Sequence, residues 1–212
     1  VVVGTGIVIS NLFALLALLT LYKLAKYEFE KLGDEHSDHL AFQAVLYFIF
    51  FPTSIFFASV YAEALFVFLL IASFYCLRKG KFFLGATLGG TACLCRVNGV
   101  LLLVPFAVEY YLRWRLKPRK ELISFLLIPL GIAIYGSFLW FRFGEPVAFL
   151  RVQSAPGWHG TIPVFPFFRS LGNIFTFFFM DRGNVWRFLE IAYILSALTL
   201  AVLSLNRLPL QY

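Results

Sequence analysis

Residues 40–77, LAFQAVLYFIFFPTSIFFASVYAEALFVFLLIASFYCL, decide the fold. Glu63 is the one charged residue in this stretch, and only Ser59, Tyr61 and Glu63 interrupt its middle. A helix that spans a bilayer needs about 20 predominantly apolar residues. The stretch is therefore long enough for two crossings and reads as a helical hairpin with its turn around Val60 to Glu63. A water-soluble chain has no place for such a run. The composition of all 212 residues agrees, at 61% hydrophobic, 19% aromatic and 14% charged, with a mean hydropathy of +0.85. Soluble domains run at about 45–50% apolar and about 25% charged, so the excess apolar surface here faces lipid.

Outward from the hairpin the same pattern repeats. Upstream, Val1 to Leu24 is one crossing, ended by Lys23, Lys26 and a charged stretch as far as His39. Downstream, Arg78, Lys79 and Lys81 close the hairpin, and Phe82 to Cys95 climbs to Arg96-Val97-Asn98-Gly99. Val100 to Leu112 descends to Arg113, Arg115, Lys117, Arg119 and Lys120, and Leu122 to Phe141 is the next crossing. Pro129 and Gly131 are expected to bend it. A long connection rich in Pro, Gly and aromatics, residues 142–184, precedes a last crossing from Val185 to Leu205. The expected fold is all-α: one polytopic transmembrane bundle over 1–212, of about seven membrane segments, with a broken helix and a long extracytosolic loop.

The net charge of +7 points in a soluble protein to nucleic acid. Here 11 of the 18 Lys and Arg residues sit in three short polar connections between apolar runs, which is the pattern of cytoplasmic loops. Nucleic acid is thereby excluded as a partner. By parity the Tyr61–Glu63 turn, the Arg96–Gly99 segment and the 142–184 connection fall together on the opposite, extracytosolic side. Cys76, Cys93 and Cys95 lie in or beside apolar runs, where thiols behave as small hydrophobes, and indicate neither a disulfide framework nor zinc. The first run is too long for the apolar core of a cleavable signal. The lone methionine is Met180 and the chain opens on Val1, so the sequence reads as a fragment.

The polar residues gathered on the extracytosolic side are the candidates for chemistry. An acidic side chain within an apolar helix costs about 2.5–3.5 kcal/mol on insertion scales, so Glu63 either faces a cavity or a partner charge, or sits in water at the membrane surface. Arg96 follows only about 21 Å of helix, which puts it and the Asn98-Gly99 break below the far interface. Broken backbone at that depth is tolerated where protein or a wet cavity lines it; the alternative is an Arg that snorkels. Its planar donor fork suits phosphate. On the 142–184 connection, Gln153, Trp158 and His159 combine hydrogen-bonding and aromatic groups, suited to stacking on a sugar or closing over a lipid head group, or to an interfacial aromatic belt. The cluster Asp34-Glu35-His36-Ser37-Asp38-His39 has the composition of a metal site but reads as a solvated helix end, because zinc needs a defined four-ligand shell. Gly85, Gly89 and Gly90 are read as helix-packing positions.

These residues resemble a known family. The run Phe51-Pro52-Thr53-Ser54-Ile55-Phe56-Phe57-Ala58-Ser59-Val60-Tyr61-Ala62-Glu63-Ala64-Leu65-Phe66 looks like the Pro-Thr/Ala-Ser…Tyr-Ser-Glu-Ser-Leu-Phe block of the GPI mannosyltransferase II (PIG-V-like) family and its prokaryotic relatives. Arg96-Val97-Asn98-Gly99 is similar to its Arg-x-Asn-Gly block, and Gln153 with Trp158-His159 to its Gln…Trp block, in the same order. Ala62 departs from the small hydroxyl residue usual at that position. The resemblance covers roughly residues 5 to 212. It implies a GT-C glycosyltransferase, a multispanning enzyme with a polyprenyl-phosphate sugar as donor and a glycan or lipid-linked acceptor. It also implies a catalytic aspartate in the first extracytosolic loop, upstream of Val1, so this stretch alone is expected to be inactive.

On this reading Tyr61, Glu63, Arg96, Asn98, Gln153, Trp158 and His159 bind substrate, and no metal ligand is assigned. No cofactor is called for; a divalent cation is compatible with the chemistry but not indicated by any residue. Membrane lipid is the remaining partner. The location is multi-pass membrane, the plasma membrane in a prokaryote and the endoplasmic reticulum in a eukaryote. Two rivals are a secondary transporter, for which a second break paired with Arg96–Gly99 is missing, and a non-catalytic membrane scaffold.

Overall fold

A computed structural model of the chain describes residues 2–149 apart from 52, 53, 55, 56, 58 and 116, together with 195, 196 and 199. The chain divides into two compact units, Val1–Pro146 and Val147–Tyr212. In the second unit the Thr199 hydroxyl donates to the Leu195 carbonyl at 2.7 Å, as in a helical turn. The rest of the description concerns the first unit.

All regular elements among the described residues are helical. They are α1 (Val2–Lys31), α2 (Ser37–Ile49), α3 (Glu63–Arg78), α4 (Phe82–Cys95), α5 (Leu103–Trp114) and α6 (Leu127–Phe143). Tighter 3₁₀ turns lead into the last two, Val97–Leu102 ahead of α5 and Lys120–Leu126 ahead of α6. Among the described residues two helical runs, Val3–Lys31 and Lys120–Phe143, are long and apolar enough to cross a membrane, and Phe82–Cys95 is a shorter apolar helix. Val8, Leu12, Leu15 and Leu19 on α1, and Ile134, Phe138 and Phe141 on α6, are exposed. Apolar surface on that scale calls for lipid rather than water, and the protein is a membrane protein.

Three element boundaries differ from the sequence reading, each for a local reason. α1 does not stop at the first lysine but continues to Lys31. Residues 23–31 are Lys, Leu, Ala, Tyr, Phe and Glu, most of them good helix formers, and the stop comes at Gly33, whose φ of +78° is a left-handed conformation open to glycine. The 40–77 stretch is not a tight hairpin: α2 ends at Ile49 and α3 begins at Glu63. Pro52 disfavours helical backbone at the residue before it and removes a donor from any continuing helix. The Ser54 hydroxyl caps this end of α2, donating to the Ile49 carbonyl and, at 2.6 Å, to that of Phe51. Glu63 therefore opens a helix instead of lying in a turn. In the 120–143 run the winding changes from 3₁₀ to α at Leu127, so Pro129 falls in the first turn of α6, where its missing N–H costs nothing.

Packing runs α2 to α1, α1 to α3, α3 to α4 and α4 to α6. The α4 stripe Phe82, Gly85, Ala86, Gly89, Gly90 and Cys93 is buried at helical spacing. A Cβ added at Gly85 would lie 2.9 Å from the Ser73 carbonyl of α3, and one at Gly131 would lie 2.0 Å from the Gly90 carbonyl. α4 is thus held between α3 and α6 at backbone contact, a close approach that small residues alone permit. The core includes residues of this stripe and of its neighbours: Leu77, Phe82, Ala86, Cys93, Leu102, Phe106, Tyr110 and Ile128. Its rings meet edge to face, Phe82 to Phe106 at 6.0 Å and Tyr110 to Phe125 at 5.8 Å between centroids, the arrangement favoured by ring quadrupoles.

Candidate functional site

The first unit has two polar ends with different chemistry. At one end α3 begins with Glu63, an acidic residue in the first turn, where the helix dipole favours negative charge. α4 terminates nearby at Cys95, and Arg96 turns to extended backbone with φ −150° and ψ 133°. Its N–H donates to the Ala92 carbonyl at 2.9 Å, and its own carbonyl accepts from Gly99 at 2.9 Å. Gly99 is needed because the turn doubles back onto α4: a Cβ there would lie 2.8 Å from the Cys93 nitrogen.

This geometry brings the two sequence blocks together. Arg96 Nη2 donates to Glu63 Oε1 in an ion pair across 33 residues of chain. The Arg96 side chain is 47% exposed and that of Glu63 is 23% exposed. Glu63 Oε2 is buried and has no hydrogen-bond partner among the described residues. An Arg has five N–H donors, and among the described residues Glu63 Oε1 is the one acceptor that the half-exposed Arg96 side chain meets.

The other candidates are less closely joined. Tyr61 is exposed; its carbonyl accepts from Ser10 Oγ of α1 at 3.5 Å, and it lines a cavity of about 280 Å³ with Ser10, Phe13 and Leu65. Neither Glu63 nor Arg96 forms part of that cavity wall. A second cavity, about 340 Å³, lies between α1, α2 and α3 against Asn11, Phe48, Ser54 and Ala64. Asn98 is exposed on the turn after Arg96. Gln153, Trp158 and His159 lie outside the described residues.

The opposite end holds a buried charge network that sequence reasoning missed. Arg78, at the end of α3, donates from Nε and Nη2 to the two carboxylate oxygens of Glu28 at 2.6 and 2.7 Å, and from Nη1 to Glu109 Oε2 at 2.6 Å. Arg113 Nε donates to Glu109 Oε1 at 2.6 Å, and Arg113 Nη2 to the Arg78 carbonyl at 2.7 Å. Arg78 and Glu109 side chains are only 9% and 8% exposed. The signal was present as Glu109, a carboxylate inside the apolar run Val100 to Leu112, which by the same cost argument as Glu63 demands a partner.

The 34–39 cluster at this end is occupied by local contacts. Asp38 accepts from Lys26 Nζ at 2.7 and 2.9 Å and from the Tyr22 hydroxyl. The ammonium of Lys26, and then the Tyr22 hydroxyl, hold the Asp38 carboxyl below its usual value. Asp34 Oδ1 accepts from the His36 backbone N–H at 2.8 Å. Among the described residues no group of three or more His, Cys, Asp or Glu is placed to hold a metal.

The family described as mannosyltransferase (PIG-V) matches residues 1–139, which include Glu63 and Arg96 and stop short of Gln153. GPI mannosyltransferase 2 of Yarrowia lipolytica (strain CLIB 122 / E 150) is 35% identical over 105 residues, 50% of this chain. That alignment spans 28% of the relative's length. No solved structure matches the chain. With the family match extending over well over half its residues, the chain belongs to the mannosyltransferase (PIG-V) family.

Proposed function

We propose that the protein is a membrane mannosyltransferase of the GT-C type. It moves a mannosyl group from a polyprenyl-phosphate donor to a glycan or lipid-linked acceptor at the extracytosolic face. The observation that carries this reading is the Glu63–Arg96 ion pair, which unites the two family-like blocks at the end of the unit opposite the basic loops. The name of the Yarrowia relative, a GPI mannosyltransferase, supports a lipid-linked glycan as acceptor. The enzyme is a single multi-pass bundle of about seven segments, in the endoplasmic reticulum of a eukaryote or the plasma membrane of a prokaryote.

In the reaction an acceptor hydroxyl attacks the anomeric carbon of the donor. The bond from that carbon to the phosphate oxygen breaks, and polyprenyl phosphate leaves with the electron pair. A general base takes the acceptor's proton, and the aspartate implied by the family resemblance, upstream of Val1, fills that role. Arg96 meets the donor phosphate through the N–H groups that Glu63 leaves free, and its charge offsets the negative charge growing on the leaving oxygen. Glu63 fixes the plane of the guanidinium. Tyr61, Asn98, Gln153, Trp158 and His159 contact the sugars or the donor head group.

A charged hydrogen bond is worth about 1.5–3 kcal/mol. In a full-length parent enzyme Arg96→Ala is therefore expected to lower kcat/KM for the donor by about tenfold to a hundredfold. Arg96→Lys retains part of the activity because a point charge remains. Glu63→Gln lowers turnover with expression and folding intact. Unchanged donor dependence and maximal rate in Arg96→Ala would make Arg96 a snorkelling structural residue. Full activity in Glu63→Gln would return Glu63 to a surface carboxylate.

A further inference from the structure

Two basic loops that lie far apart in sequence are joined in space. Arg113 Nη2 donates to the Arg78 carbonyl at 2.7 Å, and a Cβ at Gly80 would lie 2.7 Å from Arg113 Nη1. The turn carrying Lys79 and Lys81 therefore abuts the stretch after α5, which has five Lys and Arg in residues 113–120. Arg113 is consumed by Glu109. Arg115, Lys117, Arg119 and Lys120 are exposed, and among the described residues no carboxylate forms an ion pair with any of them. Glu121, next in sequence, is half-buried and also makes no ion pair with them.

This surface is built rather than loose. The hydroxyl of the buried Tyr110 donates to the Lys117 carbonyl at 2.5 Å and accepts from the Arg119 N–H at 3.0 Å, so one core side chain fixes both sides of the basic loop. The Arg115 guanidinium lies 5.7 Å over the Tyr111 ring and that of Arg119 lies 6.0 Å over Trp114. Lys120 opens the membrane-length run Lys120–Phe143, which puts the cations where a bilayer boundary falls. Fixed, uncompensated cations beside aromatic rings at a bilayer boundary match anionic lipid head groups.

We infer that Arg115, Lys117, Arg119 and Lys120, flanked by Lys79 and Lys81, form a binding surface for anionic phospholipid head groups in the adjoining leaflet. This inference does not depend on the transferase reading. The test is lipid retention by the purified protein in an equimolar mixture of phosphatidylglycerol and phosphatidylcholine, read by native mass spectrometry. The wild-type protein is expected to keep phosphatidylglycerol at least about tenfold over phosphatidylcholine at low salt and to lose that preference as salt screens the charges. Combined Arg115→Gln, Lys117→Gln and Arg119→Gln brings retention close to parity with helix content unchanged, and Tyr110→Phe, which frees the loop, gives an intermediate preference. Parity in the wild type, a preference that survives high salt, or an undiminished preference in a folded triple variant overturns the inference. Should the triple variant fail to fold, the wild-type salt series decides alone. Lipid parity with tight binding of a soluble polyanion such as heparin assigns the surface to an acidic soluble partner instead.

Discussion

Arg78 shows how much a single side chain can hold. It touches Glu28 on α1 and Glu109 on α5 from its own place at the end of α3, so three helices meet at one guanidinium. Removing Arg78 takes the guanidinium from Glu28 and leaves Glu109 with Arg113 alone, and breaking a buried pair costs about 3–5 kcal/mol. Arg78→Met is expected to lower the thermal stability of the detergent-solubilised protein by that order. Adding Glu28→Gln to it should recover much of the loss, because Glu28 is then no longer a stranded charge and Glu109 keeps its pairing with Arg113. A single variant as stable as wild type would reduce the network to surface decoration. In the sequence Arg78 is indistinguishable from its neighbours Lys79 and Lys81, and it reads as one more loop cation. The pairing is a tertiary fact, made across 50 and 31 residues, and a pattern of apolar runs carries no information about which charges meet. For the same reason Glu63 and Arg96 could each be singled out by the cost of burying charge, while their ion pair could not be read.

Among the elements, α4 and α6 are in the tightest contact. The Cβ positions of Gly90 and Gly131 would fall 2.3 Å from the Leu127 carbonyl oxygen and 2.0 Å from the Gly90 carbonyl oxygen. Backbone cannot yield as a flexible side chain does, so Gly131→Ala is expected to push α6 off α4 and destabilise by about 1–3 kcal/mol. Gly4, whose added Cβ meets nothing within 4 Å, is the control: Gly4→Ala should be neutral or slightly stabilising through helix propensity alone. Thermal unfolding of the two variants checks the contrast, and equal effects would mean that the crossing is looser than described. Small residues spaced along α4 made this packing legible in advance. Helix ends were less so. The continuation of α1 past Lys23 depends on helix formers that happen to be charged, and the 50–62 connection depends on Pro52 and the Ser54 cap, both local features that an apolar-run reading passes over.

On the scale of the molecule, the basic loops at 23–31, 78–81 and 113–120 gather at one end of the first unit through the Glu28–Arg78–Glu109–Arg113 contacts, and Glu63 and Arg96 pair at the other. Such segregation is what the positive-inside bias would produce if the basic end is cytoplasmic. Cysteine labelling of intact cells should then protect Lys117→Cys and modify Ala155→Cys with an impermeant reagent, and the reverse result would invert the topology. The charge network also carries a history of synthesis. A ribosome delivers Glu28 first, then Arg78, then Glu109, then Arg113, so every charge after the first arrives to find one of opposite sign already made. α3 enters the membrane with a counter-ion for Arg78 waiting on α1, before α5 exists, so the charge at its end is matched as the helix integrates. Glu28→Gln should accordingly hinder integration of α3 in chains truncated after Gly99 and be better tolerated once Glu109 has been added, a difference that protease protection of nascent chains would register.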